Sequence, residues 1–107
     1  MTINDPTNAL AVVDEMIVQL RDHPGHELAI AIAARGKVLA DMGEAAEAAE
    51  SFAQAIRVTL PLSSQDPAAF EVMLGRFVAD YRECCAMAGQ EPDMALLTAA
   101  EPFLPVN

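Results

Sequence analysis

The chain has 107 residues, which is long enough for one domain. Its formal net charge is −10, but its apolar fraction of 53% excludes intrinsic disorder. Six lysines and arginines stand against sixteen acidic residues. This balance excludes simple binding to a nucleic-acid backbone or to an anionic membrane surface. We therefore expect an acidic domain with no nucleic acid and no membrane as its partner.

Helical spacing of apolar residues recurs along the chain, and start and stop signals separate the helices. Asp5 followed by Pro6 is a typical helix start, and the residues around Pro24 interrupt the first helix. Gly43 is the residue type best suited to a left-handed turn after the second helix. The pattern predicts helices over about 6–22, 26–42, 44–60, 67–88 and 92–100.

The later boundaries depend on prolines and glycines. Pro61 disfavours helical backbone at Leu60, so the third helix is expected to end there, with residues 62–65 as a linker. Asp66 and the proline after it repeat the start signal, and Gly89 stops the fourth helix. The fifth helix is expected to begin near a proline at position 92, before an extended tail.

Small and apolar residues between about 26 and 61 follow the spacing of a helical hairpin. They are Gly36, Leu39, Gly43, Ala48, Phe52 and Ala55, with a proline at 61. This pattern resembles the tetratricopeptide repeat, a helix-turn-helix of about 34 residues. Gly36 and Ala48 would let the two helices approach closely, and Leu39 and Phe52 would fill the space between them.

The resemblance continues more weakly into a degenerate repeat over about 67–101. Arg82 stands at the position of the contact glycine there, and Arg35 stands where the family usually has a leucine. The resemblance implies an all-α fold with antiparallel helical hairpins. It would form a right-handed superhelix of four main helices and a short C-terminal helix.

In this family the first helix of each pair lines a concave groove that binds a peptide. Carried onto this sequence, the groove would be lined by Ala33, Lys37, Ala40, Asp41, Arg76, Ala79, Glu83 and Met87. The family's clamp for a C-terminal carboxylate needs asparagine, and none occurs between Asn8 and Asn107. The resemblance thus implies an adaptor or assembly module that binds an unidentified protein or peptide by apolar contact, supplemented by Lys37 or Arg76. The alternative is that these are ordinary exposed helix residues.

The acidic residues Glu44, Glu47 and Glu50 share one face of the third helix. They form either a solvated surface or a docking patch for a basic partner. The second interpretation gives an alternative function, an acidic mimic or inhibitor that occupies a basic site on another protein. The sequence leaves open whether the groove or this acidic face is the binding surface.

Residues with catalytic or metal-binding chemistry form no supporting pattern. There is no Gly-x-Ser-x-Gly motif and no glycine-rich phosphate loop. His23 and His26 are interpreted as helix-boundary residues, and the adjacent Cys84 and Cys85 as small helical side chains that form no disulfide framework. We expect no enzymatic activity, no cofactor and no metal site.

Location and assembly are expected from general features. No run of about 18 apolar residues occurs, and the first residues lack the charge pattern of a signal peptide, so a cytoplasmic protein is expected. Phe70, Phe77, Phe103 and Leu104 supply more apolar surface than one short end can easily cover. We therefore expect a homodimer through an end helix.

Overall fold

The computed structural model describes residues 6–23 and 25–105, and all secondary structure in these ranges is helical. The helices are α1 Pro6–Leu20, α2 His26–Asp41, α3 Ala45–Gln65, α4 Pro67–Ala88 and α5 Met94–Ala100, followed by a 3-10 turn at Glu101–Phe103. The expected all-α class is confirmed. The predicted signals at Asp5 and Pro24 lie outside the described residues. None of the described helices has the length and apolar character that a membrane span requires.

The four long helices pack in chain order. α1 contacts α2, α2 contacts α3, and α3 contacts α4, whereas α2 and α4 barely touch each other. α5 packs against α3 and α4. Because α3 contacts helices on both sides, it supplies the largest buried set: Ala48, Ala49, Ser51, Phe52, Ala53, Ala55, Ile56, Thr59 and Ser63.

The turn between α2 and α3 is closed by Gly43. Its φ of +83° lies in the left-handed region that favours glycine. The Gly43 N–H donates to the Ala40 carbonyl at 3.0 Å, and the Glu44 N–H donates to the Leu39 carbonyl at 2.9 Å. These two bonds form a Schellman motif, so the predicted role of Gly43 is confirmed. Gly89, with a φ of +68°, ends α4 in the same way.

The close approach of α2 and α3 depends on small residues. A Cβ atom at Gly36 would lie 2.8 Å from the ring of Phe52, which is closer than van der Waals contact allows. Ala48 and Ala55 are fully buried, and Leu39 is 1% exposed. The sequence-predicted packing residues therefore lie in the core, except Gly43, which forms the exposed turn.

The predicted end of α3 at Leu60 is wrong. The helix continues through Pro61 to Gln65, so residues 62–65 are helical and do not form a linker. Thr59 and Ser63, on either side of Pro61, are fully buried, whereas Pro61 itself is exposed. The proline removes one backbone donor and disfavours the preceding helical conformation. The packing of this face against the core outweighs that local cost.

Two further boundaries differ at the C-terminal end. α5 begins at Met94, two residues after the predicted start, and the Asp93 carboxylate caps it by accepting hydrogen bonds from the N–H groups of Ala95 and Leu96 at 3.0 and 3.3 Å. The expected extended tail begins with the 3-10 turn at 101–103. The other helix ends lie within two residues of their predicted positions, which is the usual uncertainty of helix boundaries.

Arg35 links three helices. Its Nε donates to Asp14 Oδ1 of α1 at 2.7 Å, and its Nη1 donates to Ser51 Oγ of α3 at 2.9 Å. Ser51 is buried, whereas Arg35 and Asp14 are half-buried. A charged residue is accommodated at this position because both ends of its guanidinium group have acceptors.

The apolar residues that motivated the homodimer are largely covered within one chain. Phe77 is 6% exposed, and Phe70, Phe103 and Leu104 are half-buried. Both Phe103 and Leu104 pack against the core of their own chain. The dimer stays a prediction, and these side chains no longer provide its main motivation.

Ala48→Leu tests the close packing of α3. The larger side chain has no space at this fully buried position, so we expect the free energy of unfolding to fall by about 1–3 kcal/mol. Ala46→Leu is a matched control, because Ala46 is exposed on the same helix. Chemical denaturation measures both variants. Equal stability of the Ala48→Leu variant and the unchanged protein would contradict the tight contact.

Tyr81 provides a second test, because it is the only tyrosine and the chain has no tryptophan. Burial raises the pKa of Tyr81 above its ordinary value of 10.0, although the hydrogen bond from the Asp93 N–H, at 2.8 Å to the Tyr81 hydroxyl, opposes this shift. We therefore expect the ultraviolet titration of tyrosinate to occur at higher pH in the folded protein than in concentrated urea.

The same shift has a defined sign for stability. The folded state holds the Tyr81 proton more tightly, so this contribution is present below pH 10.0 and is lost as the pH rises through the folded-state pKa. A folded-state titration at or below that of the urea-unfolded chain would contradict the burial of Tyr81.

Candidate binding groove

A trough runs between α2 and α4, and Phe52 of α3 lines one part of it. It contains two adjoining cavities of about 370 and 240 Å³, and Lys37 and Asp80 line both. We call this surface the α2/α4 groove. Its lining residues are Ile30, Ala33, Ala34, Lys37, Ala40, Asp41, Phe52, Val72, Met73, Arg76, Phe77, Asp80, Glu83, Cys84 and Met87.

The two walls of the groove run in the same direction. Ile30 near the start of α2 lines the first cavity with Val72 near the start of α4. Asp41 at the end of α2 lines the second cavity with Met87 at the end of α4. A chain segment bound along the groove would therefore follow both helices along their length and would contact the two cavities in turn.

The first half of the groove is mainly apolar. Val72 is 80% exposed and Ile30 is 49% exposed, so two large apolar side chains face solvent across the trough. Met73 and Phe77 lie deeper on the same wall. Exposed apolar side chains gathered in a concavity are typical of a binding surface.

Two cations lie beside this apolar half. Lys37 and Arg76 are both exposed, and neither takes part in an ion pair within the described parts of the chain. The ion pairs found there use Arg35 and Arg57 instead. Lys37 and Arg76 are thus available to a ligand that has a carboxylate.

The second half of the groove is acidic. Asp41 and Glu83 are exposed at its rim, and Asp80 is half-buried between the two halves. The Oδ2 atom of Asp80 is buried and has no hydrogen-bond partner. Burial raises the pKa of the neighbouring Cys84 thiol, and the carboxylates of Asp80 and Glu83 raise it further. The negative charge of this half therefore disfavours the thiolate form of Cys84.

Seven of the eight groove residues expected from the sequence lie in the α2/α4 groove: Ala33, Lys37, Ala40, Asp41, Arg76, Glu83 and Met87. Ala79 does not, because it lies on the outer face of α4 with Arg82 and Leu104. Sequence reasoning missed Asp80, and it also missed Ile30 and Val72. Asp80 lies four residues after Arg76 and three before Glu83, but Ala79 has the complementary spacing of three and four, so helical spacing alone does not separate the two positions.

The acidic face of α3 is separate from the groove. Glu47 and Glu50 are exposed on the helix, and Glu44 is its N-cap. None of the three lines the groove cavities. Arg57 lies 3.8 Å from Glu50 and 3.7 Å from Asp93, so part of this negative charge is balanced within the chain.

Another apolar hollow of about 370 Å³ lies between α1 and α2. Val13, Met16 and Leu20 line it from α1, and Ile30 and Ala34 belong to both this hollow and the α2/α4 groove. The exposed side of α2 thus has apolar surface on both flanks. This continuity enlarges the area that a partner could cover.

Metal-binding groups are dispersed. In residues 6–23 and 25–105, no three histidine, cysteine or acidic side chains are arranged to hold a metal ion. His23 lies between α1 and α2, His26 is the first residue of α2, and both are exposed. Cys84 and Cys85 are buried free thiols.

Comparison with known proteins found no similarity: no family model, no curated protein and no solved structure matches the chain.

Asp80→Asn tests the unpartnered carboxylate of the groove. A buried charged oxygen without a donor lowers the stability of the fold, so the neutral amide should leave the free energy of unfolding unchanged or raise it by up to about 1 kcal/mol. Glu71→Gln removes the same charge from an exposed position on α4 outside the groove and is the matched control. Thermal unfolding compares the two variants. A clearly lower stability of the Asp80→Asn variant alone would contradict this description of Asp80.

Proposed function

We propose that this protein is a non-catalytic interaction module of the tetratricopeptide-repeat type, an adaptor or assembly scaffold that binds a segment of a protein partner in the α2/α4 groove. The observation that carries the proposal is the exposed apolar wall of the groove beside two unpaired cations, Lys37 and Arg76. Val72 is 80% exposed, the highest value among the exposed large apolar side chains of the described residues, and it lies in a concavity that a partner could cover.

The repeat assignment is supported by particular contacts. Gly36 against Phe52, the buried Ala48 and the left-handed Gly43 all occupy the roles that the resemblance implies. α2 and α4 flank the groove, and these are the helices that the resemblance assigns to its lining. Repeat proteins commonly use such extended concave surfaces for binding.

An acidic mimic that inserts into a basic site on another protein is the alternative. It would use Glu44, Glu47 and Glu50. The groove is favoured because it is concave and has apolar walls, whereas Glu50 already lies 3.8 Å from Arg57. Interfaces that combine an apolar centre with a charged rim retain affinity when salt screens their charges.

Selection from a random peptide library tests the proposal. Peptides selected on the immobilised protein are titrated into isotope-labelled protein, and the amide chemical shifts report where they bind. We expect the largest shifts at residues of α2 and α4 that line the groove. Retention of the peptides in high salt would support groove binding, whereas shifts confined to residues 44–50 and release by salt would support the acidic mimic.

Val72→Asp provides the matching mutational test. A charge on this exposed apolar wall should weaken the selected peptides by about tenfold or more. Val12→Asp is the control, because Val12 is 59% exposed on α1 and does not line the groove. Equal affinities of the two variants for the peptides would contradict binding in the groove.

A further inference from the structure

A row of exposed side chains with regular spacing lies along α4. It consists of Val72, Arg76, Ala79, Glu83 and Ala86, which follow one another at steps of four, three, four and three residues. This is the spacing with which one helix presents a straight seam to another helix. Val72 and Arg76 line both the α2/α4 groove and the depression on the other side of α4, so they stand on the ridge between these two surfaces. We call the row the α4 crest.

The order of residue types along the α4 crest is self-complementary. Ala79 is the midpoint, Arg76 lies three residues before it and Glu83 four residues after it, and Val72 and Ala86 lie seven residues away on either side. In a second copy laid antiparallel, arginine would face glutamate, alanine would face alanine, and the apolar ends would face each other. A parallel copy would place like charges together, which is unfavourable.

The two charged groups of the crest are available for such a contact. Arg76 and Glu83 are exposed, and neither takes part in an ion pair within residues 6–23 and 25–105. They are seven residues apart on one helix, which corresponds to about 10 Å along its axis, so they are too distant to pair with each other. An antiparallel copy of α4 would bring opposite charges together at two symmetric places.

The apolar positions of the crest also suit a helix partner. Val72 is 80% exposed, and Met87, which follows Ala86, is 64% exposed. These side chains lie at opposite ends of the row, so an antiparallel copy would cover each with the other and remove both from water. At the midpoint, Ala79 has only a methyl group, which allows the two helix axes to approach closely.

We propose that two copies of this chain associate through the α4 crest as an antiparallel, two-fold symmetric dimer with two ion pairs between Arg76 and Glu83. A two-fold interface uses the same surface of both subunits, which a self-complementary row provides. This surface differs from the one that Phe103 and Leu104 suggested, since those residues pack against the core of their own chain. The inference concerns the free protein and does not depend on the proposed function.

Charge exchange at the crest tests the dimer. Sedimentation equilibrium at low ionic strength measures self-association of the unchanged protein, of Arg76→Glu, of Glu83→Arg and of the variant with both changes, up to about 1 mM. We expect a monomer–dimer equilibrium for the unchanged protein. Each single change places like charges opposite each other and should weaken the dimer by about tenfold or more. The double change restores opposite charges at both places and should restore the dimer.

A mixture of the two single variants gives a more specific result. Arg76→Glu and Glu83→Arg each oppose their own dimer, but together they place opposite charges at both contacts, so we expect a heterodimer. Arg82→Glu and Glu71→Arg are the matched controls, because both residues are exposed on α4 away from the crest and undergo the same charge changes. Each control variant should still form its own dimer, and mixing the two should give no comparable gain.

Other outcomes overturn the inference. A protein that stays monomeric at the highest concentration contradicts it, and so does a dimer that all the charge variants form equally, since that dimer would use another surface. An equal gain in the control mixture would indicate only long-range attraction and would contradict the placement at the crest. Peptide binding in the α2/α4 groove is measured separately by the library selection, so the dimer and the proposed function can each fail without the other.

Discussion

The contact between Gly36 and the ring of Phe52 is the constraint on which the other features depend. The absence of a Cβ atom at position 36 lets the ring approach α2 to within van der Waals distance. α3 therefore lies deep between its neighbours, and its buried residues supply the centre of the core. The same Phe52 ring lines the acidic half of the α2/α4 groove. One close contact thus belongs both to the interior of the fold and to the acidic half of the α2/α4 groove.

The positively charged residues are unevenly distributed over the helices. Arg35 and Arg57 hold the helices and the C-terminal region together through Asp14, Ser51 and Asp93. Lys37 and Arg76 face the groove instead, where no carboxylate pairs with them in the described structure. Four of the six cations therefore divide between ion pairs within the chain and an open surface. This division gives the groove an electrostatic pattern that the net charge alone does not indicate.

Sequence patterns predicted the number and order of the helices because each long helix has periodic apolar residues and its own terminal signals. They failed at Pro61, because the local rule for proline ignores the burial of Thr59 and Ser63 on the opposite face of α3. In the candidate groove, the resemblance to the repeat family identified seven of the fourteen lining residues on α2 and α4. It failed for Ala79, since this position lines another depression of the surface with Arg82 and Leu104. The unpartnered state of Asp80 could not be predicted, because it depends on which donors the tertiary structure brings near.

The continuation of α3 through Pro61 has a consequence for the way in which the groove can respond to a ligand. Because the helix runs to Gln65 and α4 begins at Pro67, a single residue, Asp66, joins two helices of 21 and 22 residues. Its side chain caps α4, and this short connection restricts the movement of α4 relative to α3. The opposite wall, α2, is joined to α3 by residues 42–44, whose turn at Gly43 is closed by backbone hydrogen bonds. The groove is therefore preorganised, and for a segment that bound there the entropic penalty of association would fall mainly on that segment.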